Sequence, residues 1–335
     1  MRIGLTFDLR DEYLAEGYSE EEAAEFDRQE TIDGLAAALR SLGHEPVLIG
    51  RLQSLMERLL AGQRWDLVFN IAEGLHGFAR ESQVPALLDA WQIPYTFSDP
   101  LVLAACLHKG VAKRIVRDAG VPTPDFAVVE AADDIAAIDL PFPLFCKPVA
   151  EGTGKGVSPA SRVTGRAQLA EVCTMLLDRF RQPVLVETYL PGREFTVGIV
   201  GTGRRAHAIG AMEVFFGPRA DPDFYTFENK EHDDGRVENR LLEGETARAA
   251  ADVALAAWRA LGCRDGGRVD LRTDGNGKPH FIEVNPLAGI HPVRSDLTIL
   301  AAHAGIGHTE LIGRILDSAL LRVGTARNAR GEEAA

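Results

Sequence analysis

The sequence predicts an α/β protein of several domains, a parallel α/β unit first and α+β units after it. Residues 1–70 alternate strand, helix, strand, helix, strand, the rhythm of a small parallel sheet. A chain of 335 residues, 46% of them hydrophobic, has enough apolar material for two or three cores. Further on, GGRVDLRTDGNGKPHFIEVNPL (Gly266 to Leu287) reads as two strands around a turn of Asp, Gly and Asn, residues that tolerate tight and left-handed backbone.

Composition narrows the function classes. A net charge of −13 argues against general binding to nucleic acid or anionic membranes, although a local basic cleft can still hold phosphates. Cys106, Cys146, Cys173 and Cys263 lie far apart with no paired spacing. They read as small buried hydrophobes in a reducing compartment, not as a zinc site or a disulfide frame. The opening MRIGLTFDLR has no signal-peptide apolar run, and no stretch is long enough to span a bilayer. A cytoplasmic location is therefore expected.

In order, strands are expected at Arg2–Phe7, Pro46–Ile49 and Trp65–Asn70, with a helix carrying Ile32, Leu35, Ala36, Leu39 and Leu42 and a short one at Leu52–Leu60. An acidic segment, DLRDEYLAEGYSEEEAAEFDRQE, separates the first strand from its helix. No glycine-rich dinucleotide fingerprint follows that strand, which weighs against hydride transfer. Glu73, His76, Arg80 and Glu81 crowd the end of the third strand; Glu73 and Arg80 suit recognition of a charged substrate, or simply a local salt bridge. A helix at Val84–Trp91, a short strand at Pro94–Phe97 and one helix over Leu101–Ala119 follow, the last carrying Lys109 and Lys113 on one face. Gly120 to Pro124 ends it.

Further strands are expected at Phe126–Val129, up to Lys147, and at Val184–Leu190, with a helix at Thr164–Phe180. The loop Glu151 to Val157, EGTGKGV, includes Gly152, Thr153 and Lys155. Such a loop can bring backbone N–H groups and a lysine to phosphates, but its spacing is not that of a P-loop. Two more strands lead to Gly217–Gly244, a polar insertion with Tyr225, Phe227 and Lys230, read as a lid. An alanine-rich helix spans Glu245–Leu261. After the hairpin come helices at Thr298–Ala304 and Glu310–Leu320, then a frayed tail.

On the hairpin, Arg268 and Asp270 share a face, as do Glu283 and Asn285. Centring the turn between Asn276 and Gly277 sets Asp270 opposite Glu283. Carboxylate and amide oxygens in that arrangement suit hard Mg²⁺. A solvated hairpin face with a chance charge pattern is the plain alternative. Lys147, the Gly-rich loop with Lys155, the hairpin acids and Arg268 together suit a nucleoside triphosphate held between two sheets.

Here the sequence resembles a known family. VFN (Val68 to Asn70) with a following His76-Gly77, IPYTFSD (Ile93 to Asp99), HKGVAKRIVRDAGVPTP (His108 to Pro124), CKPVAEGTGKGV (Cys146 to Val157), VETYLPGREFTV (Val186 to Val197), FYTFENK (Phe224 to Lys230), LGCRDGGRVD (Leu261 to Asp270) and EVNPLAG (Glu283 to Gly289) occur in order. They are similar to blocks of the ATP-grasp superfamily, within it the D-alanine–D-alanine ligase-like carboxylate–amine ligases. The resemblance covers most of residues 1–320.

It implies an ATP-grasp fold behind an N-terminal α/β substrate-binding domain (1–108), with a central subdomain (109–191), a C-terminal catalytic domain (192–323) and a flexible tail (324–335). It implies ATP and two Mg²⁺ ions (or Mn²⁺ in their place). Lys109 and Lys147 match lysines on phosphates or adenine, the loop from Glu151 through Gly152, Thr153 and Lys155 a cover over the phosphates, Glu187 the adenine-side acid, Glu194 the ribose acid and Lys230 the lid lysine. Asp270, Glu283 and Asn285 match metal ligands, and Arg268 the arginine that stabilises the acyl-phosphate and tetrahedral states. The implied reaction forms an amide or peptide bond through an acyl phosphate, from amino-acid, peptide or carboxylic-acid substrates, and the family commonly dimerises.

The departures fall on the amino-acid subsites. Phe7 to Arg10 and the acidic segment stand where the family has a glycine-rich turn and a Ser/Glu pair. EGLHGFARESQ replaces HG-x-x-GEDG, Glu231 replaces the tyrosine after the lid lysine, and the serine for the second substrate falls near Arg294-Ser295. A different substrate pair is expected, sorted by Glu73, Arg80, Arg294 and Ser295. An authentic D-alanine–D-alanine ligase and a catalytically silent nucleotide-binding or scaffold protein are the alternatives.

Overall fold

Strand β1 (Arg2–Thr6) buries Ile3 and Leu5 completely and lies between β2 (Glu45–Gly50) and β3 (Leu67–Asn70), all parallel. The computed structural model describes residues 1–217 and 237–330. Parallel neighbours need crossover connections, supplied by α2 (Gln29–Ser41) and α3 (Leu52–Leu60). The buried Ile32, Leu35, Ala36 and Leu39 form the apolar stripe that seats α2 on the sheet.

Between β1 and α2 the acidic segment is an ordered excursion. It begins with α1 (Arg10–Ala15) and is pinned at its neck, where Asp27 N–H donates to Asp8 O at 3.0 Å and Arg10 N–H to Asp27 O at 2.9 Å. Tyr13, Ala23 and Phe26 bury a small core of their own, with the Tyr13 and Phe26 rings 4.1 Å apart.

After α4 (Gln83–Ala90), the short strand expected at Pro94–Phe97 is only an isolated bridge between Tyr95 and Val68. Phe97 turns away with a φ of +69° and gives its N–H to Asp265 Oδ2 at 2.9 Å, so the ladder stops. The helix expected over Leu101–Ala119 is two, α5 (Pro100–Leu107) and α6 (Lys109–Asp118). His108 between them is extended, and Lys109 N–H donates to Val149 O at 2.9 Å instead of continuing α5. His108 then caps α6, accepting from Val111 N–H at its Nδ1.

The next sheet contains β4 (Phe126–Val129), β5 (Leu144–Pro148), β6 (Arg162–Val163) and β7 (Val184–Thr188) in the order β4-β7-β5-β6. Helix α7 (Arg166–Phe180) covers one face with Leu169, Val172, Cys173 and Leu176. The last sheet runs β10-β9-β8-β11-β12, from β8 (Glu194–Val200), β9 (His207–Phe216), β10 (Val237–Leu241), β11 (Gly266–Thr273) and β12 (Pro279–Asn285). The end of the expected insertion is thus a strand, β10; Tyr225, Phe227, Lys230 and Glu231 lie outside the described residues. Helix α8 (Gly244–Leu261) packs Ala254, Ala257 and Trp258 under this sheet, and α5 and α6 join the same core through Val102, Cys106, Ala112 and Val116.

Helices α9 (Asp296–His303) and α10 (His308–Arg330) share a core with β1, α2 and β3. The tail expected to fray from Thr325 continues α10 to Arg330, because its Ala and Arg residues favour propagation of a helix already nucleated.

Candidate active site

The β11–β12 register sets Asp270 opposite Glu283 and Arg268 opposite Asn285, with a bulge after Asp270. Asp270 accepts from Thr196 Oγ1 at 2.9 Å and from Asn285 Nδ2 at 3.3 Å, and is ion-paired with Arg268. Arg268 also lies 3.7 Å from Asp296. Burial opposes its charge, but Asp270, Asp296 and Glu283 outweigh burial and raise its pKa.

Across the cleft the four-stranded sheet supplies Lys147 on β5 and Glu187 on β7. With α6 they complete a buried chain of alternating charge. Lys113 is 2.7 Å from Glu187, Lys147 is 3.4 Å from both Glu187 and Glu283, and Lys109 is 3.7 Å from Glu283. Burial pushes the Glu187 pKa up, yet Lys113 and Lys147 together hold it below the usual carboxylate value. Lys147 has the mirror case: burial works against its charge, and Glu187 and Glu283 prevail. Lys113 is fully buried, and burial lowers its pKa.

The loop from Glu151 to Val157 closes over this chain. Lys109 Nζ donates to Glu151 O, and Gln182 Nε2 to Glu151 Oε1 at 2.6 Å. Lys155 is 2.6 Å from Glu151 and 3.1 Å from Glu25 of the acidic excursion. Gly152 N–H donates to Glu25 Oε1 at 2.7 Å. Thr153 has a φ of +49°, and its Oγ1 has no partner among the described residues.

Two cavities meet here. One, of about 110 Å³, lies between the sheets, with Phe145, Leu190 and Ile282 among its apolar walls and Glu187 and Glu194 among its acids. Glu194 faces Arg272 at 3.3 Å, and Arg272 also donates to Tyr189 Oη at 3.2 Å. The other, of about 410 Å³, is lined by Glu73, Arg80, Arg294 and Ser295. Lys109, Glu151, Arg268 and Glu283 line both. In the larger cavity burial, then Glu81, raises the Glu73 pKa, and burial lifts Asp27 to about 7. Arg294 is exposed at its wall, and Ser295 Oγ accepts from His291 N–H at 2.9 Å.

A sequence model of the family described as D-ala D-ala ligase C-terminus matches residues 115–317. The D-alanine–D-alanine ligase of Xanthomonas axonopodis pv. citri (strain 306) is 33% identical over 290 residues, covering 84% of this chain and 87% of its own. The chain belongs to the D-alanine–D-alanine ligase family. An uncharacterized protein, y4sG, of Sinorhizobium fredii (strain NBRC 101917 / NGR234) is 33% identical over 297 residues, covering 86% of each chain. The crystal structure of D-alanine–D-alanine ligase from Bacillus anthracis superposes with a TM-score of 0.74 at 25% identity, over 98% of this chain and 99% of that one. The architecture is the ATP-grasp fold, and the protein is an ATP-dependent ligase that joins a carboxylate to an amine.

In this ligase the hairpin, Lys109, Lys147, Glu187 and the Gly-rich loop converge on one cleft, with Glu194 further along it; Glu73, Arg80, Arg294 and Ser295 line the neighbouring cavity. Lys230 lies outside the described residues. Sequence reasoning set Lys113 on one face with Lys109 but gave it no role, and it missed Arg272, Asp27 and Glu25. Lys113 had a signal: it sits between Ala112 and Val116 on the packed side of α6. Glu25 had none, being one acid in an acidic run. Among the described residues no three His, Cys, Asp or Glu side chains are grouped to hold a metal ion. The donor set here, two carboxylates and an amide, instead fits Mg²⁺, which takes few protein ligands and fills its shell with water and substrate phosphate.

Proposed function

We propose that the smaller cavity takes the nucleotide, the larger takes the acid and the amine, and their junction is where the phosphoryl group changes hands. The cavities' shared wall of Lys109, Glu151, Arg268 and Glu283 carries this reading. A carboxylate oxygen of the first substrate attacks the γ-phosphorus of ATP, and the bond to ADP breaks. The amine then attacks the acyl carbon, and phosphate leaves. Carboxylates acylate poorly because oxide is a poor leaving group; phosphorylation removes that obstacle.

Lys109 and Lys147, already poised against Glu283, neutralise phosphate charge in a site shielded from water. Asp270, Glu283 and Asn285 hold Mg²⁺, which when bound neutralises negative charge on the polyphosphate. Arg268 faces the developing negative charge of the acyl phosphate and the tetrahedral state. Glu194 and Glu187 receive the ribose and adenine ends.

The substrate pair in this reading is not two D-alanines. Asp27, Glu73 and Glu81 sit with Arg28, Arg80 and Arg294 around the larger cavity, a mixed set of carboxyl and guanidinium groups suited to zwitterionic or peptide-like substrates. The test is phosphate release from Mg²⁺-ATP across carboxylate and amine pairs, D-alanine included, with mass spectrometry of products. Efficient turnover of D-alanine alone assigns the D-alanine dipeptide instead; no ATP consumption with any pair defeats the site assignment.

A further inference from the structure

We infer that Glu25 and Arg80 are positioning residues: from the first domain they clamp the loop Glu151 to Val157 in its closed place. The inference rests on the reading of that loop as the cover over the phosphates.

The clamp grips the loop backbone on both sides of Glu151. Arg80 Nη1 donates to Ala150 O at 2.9 Å, and Gly152 N–H donates to Glu25 Oε1 at 2.7 Å. The grips are joined, since Arg80 Nη2 donates to Glu25 Oε2 at 2.9 Å. Lys155, on the loop, adds a third hold on Glu25 at 3.1 Å. The Arg80, Glu25 and Lys155 side chains are only 9%, 11% and 10% exposed, so this is not a solvent-screened surface pair.

Two glycines make room for it. A Cβ on Gly152 would stand 2.7 Å from Glu25 Oε1. A Cβ on Gly74, whose φ is +68°, would stand 2.6 Å from Arg80 O. The arm that carries Glu25 is stiff, because the excursion is tied at Asp8 and Asp27 and filled by Tyr13 and Phe26. Glu21 on the same arm meets Arg179 of α7 at 2.7 Å, a second bridge to the same subdomain. Glu25 and Arg80 line the larger cavity and not the smaller one, so they act on the nucleotide side through the loop. The first domain thereby governs whether water reaches an activated acid.

The test is hydrogen–deuterium exchange of the full-length protein without ligand. Glu25→Gln keeps the side chain's size and an acceptor for Gly152 while removing the charge opposite Arg80 and Lys155. Loop peptides spanning 150–157 are expected to exchange about tenfold faster in this variant, while peptides of β5 are unchanged. If the variant loosens β5 as well, Lys155→Met, which leaves the first domain intact, is read in its place and is expected to free the loop alone. The double variant is expected to add less than the sum of the two, because the Lys155–Glu25 hold is shared while the Lys155–Glu151 pair is lost only with Lys155. Wild-type exchange in the loop of a folded variant, or full additivity in the double, overturns the clamp. This readout needs no turnover, so it fails independently of the substrate screen. With a working substrate pair, Glu25→Gln is expected to release more phosphate than amide; strict one-to-one stoichiometry overturns the water-exclusion role.

Discussion

Arg268 stands between Asp270 and Asp296, with Glu283 near enough to add to its field. The three acids hold the guanidinium in place, and in the proposed reaction it faces negative charge as that develops. Arg268→Ala is therefore expected to bind a non-hydrolysable ATP analogue within a few-fold of wild type, yet lose about 10²–10³ in turnover. Calorimetry and phosphate release separate the two effects, and normal turnover removes the arginine from the reaction. Asp27 gives a prediction about pH. Its folded pKa, about 7, is raised from 3.8 chiefly by burial. Between those values the folded state keeps a proton that the unfolded state gives up. The contribution to stability is full below pH 3.8 and is lost as pH rises through 7. Asp27→Asn escapes that loss. Its unfolding free energy relative to wild type, read by urea denaturation at each pH, is expected to rise from pH 5 to pH 8 by roughly 2 kcal/mol after allowing for partial exposure to the cavity. A difference independent of pH would assign Asp27 another partner.

Among the elements, the β11–β12 hairpin carries the densest chemistry, and close packing from below holds it in place. A Cβ on Gly267 would stand 2.5 Å from Asn285 O and 2.8 Å from the Trp258 ring. Gly267→Ala is expected to cost about 1–3 kcal/mol and to weaken metal-dependent nucleotide binding, because β12 must move off β11 and carry Glu283 from Asp270. Urea unfolding with nucleotide titration checks it; unchanged binding in a destabilised variant would uncouple the hairpin from the metal. This element was legible in the sequence because a strand's period of two and a short turn fix which side chains face each other. The α5–α6 break was not. The bond that diverts Lys109 N–H goes to Val149, and a helical pattern contains no trace of a distant carbonyl.

For the molecule as a whole, Asp265 acts as a staple. It is fully buried and accepts from Phe97 N–H at 2.9 Å, Ser318 Oγ at 2.9 Å and Arg322 Nη2 at 2.8 Å. It thus joins the segment at Phe97, the start of the last sheet's β11 and α10. Asp265→Asn, which still tolerates the residue's φ of +63°, is expected to lower unfolding free energy by about 1–3 kcal/mol, since it leaves a partly buried arginine without its anion. A urea midpoint equal to wild type would show that Arg322 repairs itself with water.

The parallel opening, the hairpin with its facing acids and the blocks shared with a ligase family could all be read from residue order. Each depends on neighbours in sequence or on a motif whose spacing is itself the signal. Glu25 on Gly152, Lys113 on Glu187 and Asp265 under Arg322 depended on the folded chain. Those pairs are joined across many residues, and a charge in a sequence does not name its counter-ion until packing has excluded the water between them.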